Sequence, residues 1–503
     1  MKNNDIRILM KRKQKLNKRL ERRQWPEQSS PMFRAQNIHY EMADRVRAID
    51  CGAVGAFHAL ARNTGLIREI DGRLSLLKRH LPYHESDHVL NIAYNSLTGG
   101  TCLDDIELRR NDETYMDALE AERIPDPTTA GDFTRRFTEE DVLSLMEAVN
   151  AVRPKMWKKR LQRAERKEAI LDVDGTLAPT TGECKEGMGI AYNGVWGYHP
   201  LLISLANTLE PLYLVNRSGN RPSHDGAAEW LDRAMVLVGE SFKSVCLRGD
   251  TDFALTGNFD RWTDQGVRFA FGTDAGKKLV EIAEGLNQRR WRVLERREKR
   301  SGTGEKRRRP VNVKERIVVD NKYKNVALQK EHVAEFSYQP GKCRRPYRVI
   351  VLRKKLSVQQ GQMLLWEDIR YFFYITNIEE MSPSDLVYFC NDRCNQENLI
   401  EQLKNGLNAL RMPVSDLVSN WAYMVIASLA WTLKAWFALL VRDREKREAL
   451  LRMEFRGFLN AIIHLPAQII RTGRRIIFRI LGYTHWARTF LQTYDTIRRL
   501  RLA

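Results

Sequence analysis

The chain has 503 residues, 43% of them apolar, so it can bury cores for roughly two to four domains and is not a disordered polymer. Lys and Arg outnumber Asp and Glu by 83 to 63, and the net charge of +20 points to a polyanionic partner, nucleic acid before membrane. Seven cysteines with no Cys-x-x-Cys pair exclude a cysteine zinc framework and a disulfide scaffold, and a reducing cytoplasm is expected.

The first 23 residues carry Lys11, Arg12, Lys13, Lys15, Lys18, Arg19, Arg22 and Arg23 against Asp5 and Glu21. This basic arm, residues 1–30, is a solvated tail or a nucleic-acid contact, and it has no apolar stretch of the kind a signal peptide needs. From Tyr40 to Lys159 apolar residues recur at three and four spacing, as in GAVGAFHALARNTGLI and EEDVLSLMEAVNAV. That period predicts an all-helical domain over 31–165 with a basic edge. Within it, Thr128 or Thr129 is placed to cap a short helix carrying Arg135 and Arg136.

The period then changes. EAILDVDG, PLLISLA and PLYLVN read as three consecutive antiparallel strands, followed by a helix, DGAAEWLDRAMVLV, and a fourth strand, KSVCLRGD. A second helix around FALTGNFDRWTDQG leads into a fifth strand, VRFAFG. This order resembles an RNase H-like α/β core, a mixed five-stranded sheet with helices, whose first part spans 166–275. It places Asp174 on the first strand and Asp250 at the end of the neighbouring fourth. The string AILDVDGTLAPTTGE also resembles the first motif of haloacid-dehalogenase-type phosphatases, in which Asp172 would be the nucleophile. That fold needs a suitably placed Lys, and neither Lys185 nor Lys243 suits it.

Residues 276–370 read as a basic, strand-rich insertion. Arg289–Arg316 is dense in Arg and Lys, and RIVVDN, AEFSYQ, YRVIVLRKKL and YFFYITNI are strand-like. The second part of the core, 371–445, opens on CNDRCNQENLIEQLKNGLNAL. At 100° per residue, Arg393, Glu397 and Lys404 share one helical face while Leu399, Ile400 and Leu403 pack elsewhere. A third carboxylate after the fifth strand completes a donor set for two divalent ions ~3.5–4 Å apart, which would activate a water or a 3′-hydroxyl for in-line attack on a phosphodiester. Oxygen donors suit Mg²⁺. The apolar run Leu417–Leu433 is interrupted by Lys434 and falls short of the ~20 residues of a membrane span, so a buried helix is expected. A basic helical region, 446–503, closes the chain.

Arg-x₃-Glu-x₆-Lys resembles the Tyr-x₂-Arg-x₃-Glu-x₆-Lys signature of DDE-type insertion-sequence transposases. With LDVDGT, LRGDTDFA, NRSGN, SNWAYMVIASLAWTLKAWFALL and GRRIIFRILGY, the chain is similar to the insertion-sequence thirteen-eighty family. Cys390 stands where the signature has Tyr, with Tyr388 and Phe389 adjacent. The resemblance implies a metal-dependent transposase that binds the inverted-repeat ends of its element through the helical domain. It implies Asp174, Asp250 and Glu397 as catalytic ligands of two Mg²⁺ or Mn²⁺ ions, with Asp172 the alternative first ligand and Glu401 a lesser third. Arg393 and Lys404 would hold DNA backbone beside the cut. Arg217 and Asn220, before the helix that follows the third strand, would meet a phosphate or simply shape a loop. Trp366 or Trp291, in the insertion, would stack on a flipped base or serve as a core or surface residue. His199 and His224 form no metal site. Expected partners are double-stranded DNA, both element ends and target, and a second copy of the chain, with no membrane and a cytoplasmic location at the bacterial nucleoid. A derived DNA-binding protein without catalysis is the remaining rival, and it would normally lack one of the three carboxylates.

Overall fold

The computed structural model describes residues 3–21, 27, 32–33, 35, 38–42, 46–182, 184–295, 321, 324–360, 363–473 and 475–502. Arg22, Arg23 and most of the basic segment Arg289–Arg316, with nearly all of RIVVDN, lie outside the described residues. Residues Asn3–Leu20 form a helix, and Arg12 donates from Nη1 to the carbonyls of Ile480 and Gly482 at 3.0 and 2.9 Å.

The helical region is built around α1 (Glu85–Leu97) and α2 (Glu139–Asn150). The sequence reading of its short helix needs one correction. Asp126, not Thr128 or Thr129, caps Pro127–Thr134, accepting the Thr129 N–H at 2.8 Å, so the threonines fall inside the first turn and Arg135 follows the last.

The sheet begins with β1 (Glu168–Gly175), β2 (Leu201–Leu205), β3 (Glu210–Val215), β4 (Ser244–Gly249) and β5 (Arg268–Thr273). β1 to β3 are antiparallel, whereas β4 is parallel to β1 and β5 parallel to β4, giving the spatial order β3-β2-β1-β4-β5. Every residue of β2 and β3 is buried, which is why these strands are continuous apolar runs and show little alternation. One flank is covered by α3 (Ala227–Gly239), the other by helices from much later in the chain.

The expected five-stranded sheet is in fact nine-stranded. Within the insertion, β6 (Lys324–Tyr338), β7 (Tyr347–Gln360) and β8 (Met363–Thr376) form an antiparallel ribbon, and β8 pairs with β5 through Phe373↔Thr273 to Thr376↔Ala270. Pairing removes the open edge β5 would otherwise present, so the insertion extends the sheet and β8 runs through the division placed at 370/371. A two-residue strand, Arg292–Val293, pairs along β6.

After β8 come α4 (Pro383–Asn391), α5 (Cys394–Glu401) and α6 (Leu417–Leu439). α6 is long and apolar enough to cross a membrane by length and composition, and the span is wholly buried against α1, α2 and β3. It runs past Lys434, whose buried amine donates to the Leu451 carbonyl at 2.8 Å. The closing region is not all helical. Strands β9 (Ala467–Thr472) and β10 (Arg475–Ile480) form a hairpin that pairs with Ala48–Ile49, because RIIFRI alternates at the two-residue period of a half-covered strand. For the same reason the N-terminal region carries one short strand.

Candidate active site

Asp174 and Asp250 are brought together by the parallel pairing of β1 with β4. The register Asp172↔Arg248, continued by two residues, sets Asp174 opposite Asp250. Asp250 also caps the turn Thr251–Phe253, accepting the Asp252 N–H at 3.0 Å, which fixes its carboxylate at the strand end.

Glu397 arrives on α5, whose rotation is set by three residues that face the sheet. Gln396 is buried, donating to the Leu202 carbonyl at 3.2 Å and accepting from the Ser204 hydroxyl, while Leu399 and Ile400 pack into the core. The opposite face is thereby left to Arg393 and Glu397. The helix does not continue regularly to Lys404. Residues Gln402–Gly406 form a π turn, closed by the Leu407 N–H on the Gln402 carbonyl at 2.8 Å, so the single α-helical face expected for Arg393, Glu397 and Lys404 is interrupted. Lys404 nevertheless lies close enough to Asp174 and Glu401 to feel both charges.

One guanidinium ties the three carboxylates together. Arg393 Nη1 is 2.9 Å from Asp174 Oδ2 and 3.9 Å from Asp250 Oδ2, and its Nη2 is 3.0 Å from Glu397 Oε1. Exposure rises from 13% at Asp174 through 34% at Asp250 to 56% at Glu397, so the site opens to solvent on the helix side. Burial pushes Asp174 up to about 7, with the charge of Asp250 adding and Arg393 opposing. Asp250 is raised by burial too, against Arg393. Burial lowers Lys404. Three carboxylates against one contacting guanidinium leave an uncompensated negative charge, and an all-oxygen donor set of this kind fits hard divalent cations.

The alternative first carboxylate is engaged elsewhere. Asp172 is 1% exposed, and Arg248 grips both its oxygens, Nε at 2.6 Å and Nη2 at 2.8 Å. Burial works against the charge on Arg248, and the Asp172 hydrogen bonds outweigh it, so its pKa is raised. The third nitrogen of Arg248 donates to the Phe389 carbonyl at 2.6 Å. A carboxylate held this way is poorly placed as a nucleophile, and Lys185, one of the two lysines weighed for a phosphatase, donates to the carbonyls of Met412 and Val414. Glu401 is exposed and accepts from Asn405 Nδ2 at 2.7 Å.

A cleft of about 440 Å³ lies beside the carboxylates, with Asp250, Arg393, Glu397, Phe372, Tyr374 and Cys390 among its walls. Cys390 is buried, and burial pushes its thiol up to about 12. Phe372 and Tyr374 were not singled out by sequence. The available signal was the aromatic run YFFY where the insertion returns to the core. Of the residues that were, Trp366 sits farther along β8, opposite Val358, and Trp291 is buried under Arg353 at 4.0 Å from the ring centroid. Arg217 donates from Nε to the His199 carbonyl at 2.9 Å and from Nη1 to those of Ser223 and Asp225 at 3.1 and 2.6 Å, which braces the loop before α3, while its buried Nη2 has no hydrogen-bond partner among the described residues. His199 is buried with Nδ1 on the Arg221 carbonyl, whereas His224 and Asn220 are exposed.

The family model for the transposase DDE domain group 1 matches residues 49–502. The chain belongs to this transposase family. All three carboxylates of the transposase therefore fall within the matched region. No curated protein matches the sequence. Among solved structures it is similar to a chain of the piggyBac transposase synaptic complex with hairpin DNA, at 11% identity and a TM-score of 0.36, covering 81% of this chain and 80% of that one.

Proposed function

We propose that this transposase binds the terminal inverted repeats of an insertion sequence, cuts them at Asp174, Asp250 and Glu397, and joins the freed 3′-hydroxyl ends to target DNA. The observation that carries the reading is the convergence of carboxylates from β1, β4 and α5 on the one guanidinium of Arg393. The strand order β3-β2-β1-β4-β5, with β2 antiparallel, supports reading an RNase H-like core, with β6 to β8 as its insertion.

Asp174, Asp250 and Glu397 would hold two Mg²⁺ or Mn²⁺ ions. When bound, these supply activation of the attacking water or hydroxyl and stabilisation of the leaving oxygen. The protein's own residues do the rest. Arg393 aligns the carboxylates and presents a fork at the cleft, where a backbone phosphate accepts it bidentately. Lys404 adds a second cation on the Asp174 side. Phe372 offers an aromatic face to a base displaced at the cut end. Two ends handled together call for a homodimer on DNA, at the nucleoid of a bacterial cytoplasm.

The test is incubation of the purified protein with duplexes carrying its flanking element ends. The reading predicts nicking at the element boundary with Mg²⁺ or Mn²⁺ and none with a chelator. Sequence-specific binding without any cleavage in either metal would contradict it.

A further inference from the structure

Among the described residues, one set of metal-ligating side chains brings its ligand atoms within 4.8 Å of one another, and it lies away from the carboxylate site, at the start of α1. His80, His84 and Glu85 each present a ligand atom within 4.8 Å of the other two. Glu85 is 1% exposed, and its Oε1 accepts the N–H groups of Leu76 and Leu77 at 3.0 Å each. Those two bonds fix the carboxylate plane and leave Oε2 aimed at His80 Nε2, 3.0 Å away. The His84 backbone N–H is held by Asp87 Oδ2 at 2.8 Å, which fixes where the second imidazole leaves the helix. The two imidazole rings stack with centroids 4.3 Å apart and planes 19° from parallel.

We propose that His80, His84 and Glu85 bind one divalent transition-metal ion of the zinc class. Two imidazoles and a carboxylate favour Zn²⁺ or Co²⁺ over Mg²⁺, so this site differs in chemistry from the carboxylate site. Tetrahedral zinc with bonds of ~2.0–2.2 Å to nitrogen and oxygen sets ligand atoms a little over 3 Å apart. The His80–Glu85 pair already has that separation, and both imidazoles are exposed and free to turn the remaining distance. The backbone N–H groups on Glu85 Oε1 are the outer partners a ligating carboxylate needs to stay oriented. A bound ion would pin the loop from Leu74 to His84 onto α1, whose buried face packs on α6. Solvent would supply the fourth ligand. The inference is independent of the proposed reaction.

The full-length protein, stripped with chelator, is titrated with Zn²⁺ against a chromophoric chelator and with Co²⁺ by absorption. The expected result is one tight equivalent per chain, a tetrahedral Co²⁺ spectrum without a thiolate charge-transfer band, and a raised melting temperature. His80→Ala and His84→Ala, both at exposed positions and so compatible with folding, should each lose that equivalent, while Asp250→Asn keeps it. Absence of a tight equivalent in the unsubstituted protein would overturn the proposal. So would binding unchanged in both histidine variants, or a thiolate band, which would move the ion to an exposed cysteine such as Cys184 or Cys394.

Discussion

Arg248 holds Asp172 by two hydrogen bonds, 2.6 and 2.8 Å long, inside the sheet, and this separates two carboxylates that lie two residues apart on one strand. Asp172 is the carboxylate paired inside the sheet, where burial raises its pKa against the Arg248 hydrogen bonds; Asp174 is the more exposed one. Asp172→Ala should therefore lower stability by about 3–5 kcal/mol, since it leaves a buried guanidinium unpaired. Denaturant unfolding checks it. Asp174→Ala should leave the unfolding midpoint nearly unchanged or raise it, because it removes a buried carboxylate that burial already disfavours.

Glu210 joins three parts of the molecule. Fully buried on β3, it accepts from Arg153 Nε at 3.2 Å and Trp157 Nε1 at 2.7 Å in the helical region, and from Trp436 Nε1 at 2.9 Å on α6. Glu210→Leu strands Arg153 without its partner and should cost about 3–5 kcal/mol. Limited proteolysis should then release the helical region before the sheet.

Burial pushes the Lys434 amine down to about 7. Between that value and the ordinary lysine value of 10.5, the unfolded chain binds a proton that the folded chain does not. Stability should accordingly rise with pH from about 7 upward, and the penalty is fully present below it. Lys434→Met should be the more stable protein at neutral pH and should lose this rise. Denaturant midpoints measured across the window decide it.

The cations beside the triad should act on DNA. Lys404→Ala should reduce the salt dependence of cut-end binding by about one phosphate contact. Arg393→Ala should do the same and also lower cleavage, because the carboxylates lose the group that aligns them, and Arg393→Lys should not rescue it for want of a fork. Phe372→Ala should weaken cut-end engagement by roughly 1–3 kcal/mol if a base stacks there. Trp366→Ala should leave cleavage unchanged.

The strand order was legible because β1 to β5 are short apolar runs with clear turns, and Asp174 and Asp250 stand where two of those runs end. The sequence left the choice between Asp172 and Asp174 open, because the two-residue period puts both on one face; Arg248, 76 residues away, separates them. The nine-stranded sheet was hidden for a related reason. The pairing of β8 with β5 joins residues about a hundred positions apart, and no local period reports it. The π turn at Gln402–Gly406 escaped because a regular 100° step fits its sequence equally well.

If Asp174, Asp250 and Glu397 act as one metal-holding unit, strand cleavage of the element ends by the three single alanine variants, measured alongside their affinity for the uncut ends, shows it. Each variant should lose cleavage while end binding stays within a small factor of the unsubstituted protein, since carboxylates that hold metal contribute little to DNA affinity. Full cleavage by the Asp250→Ala or Glu397→Ala protein would contradict it.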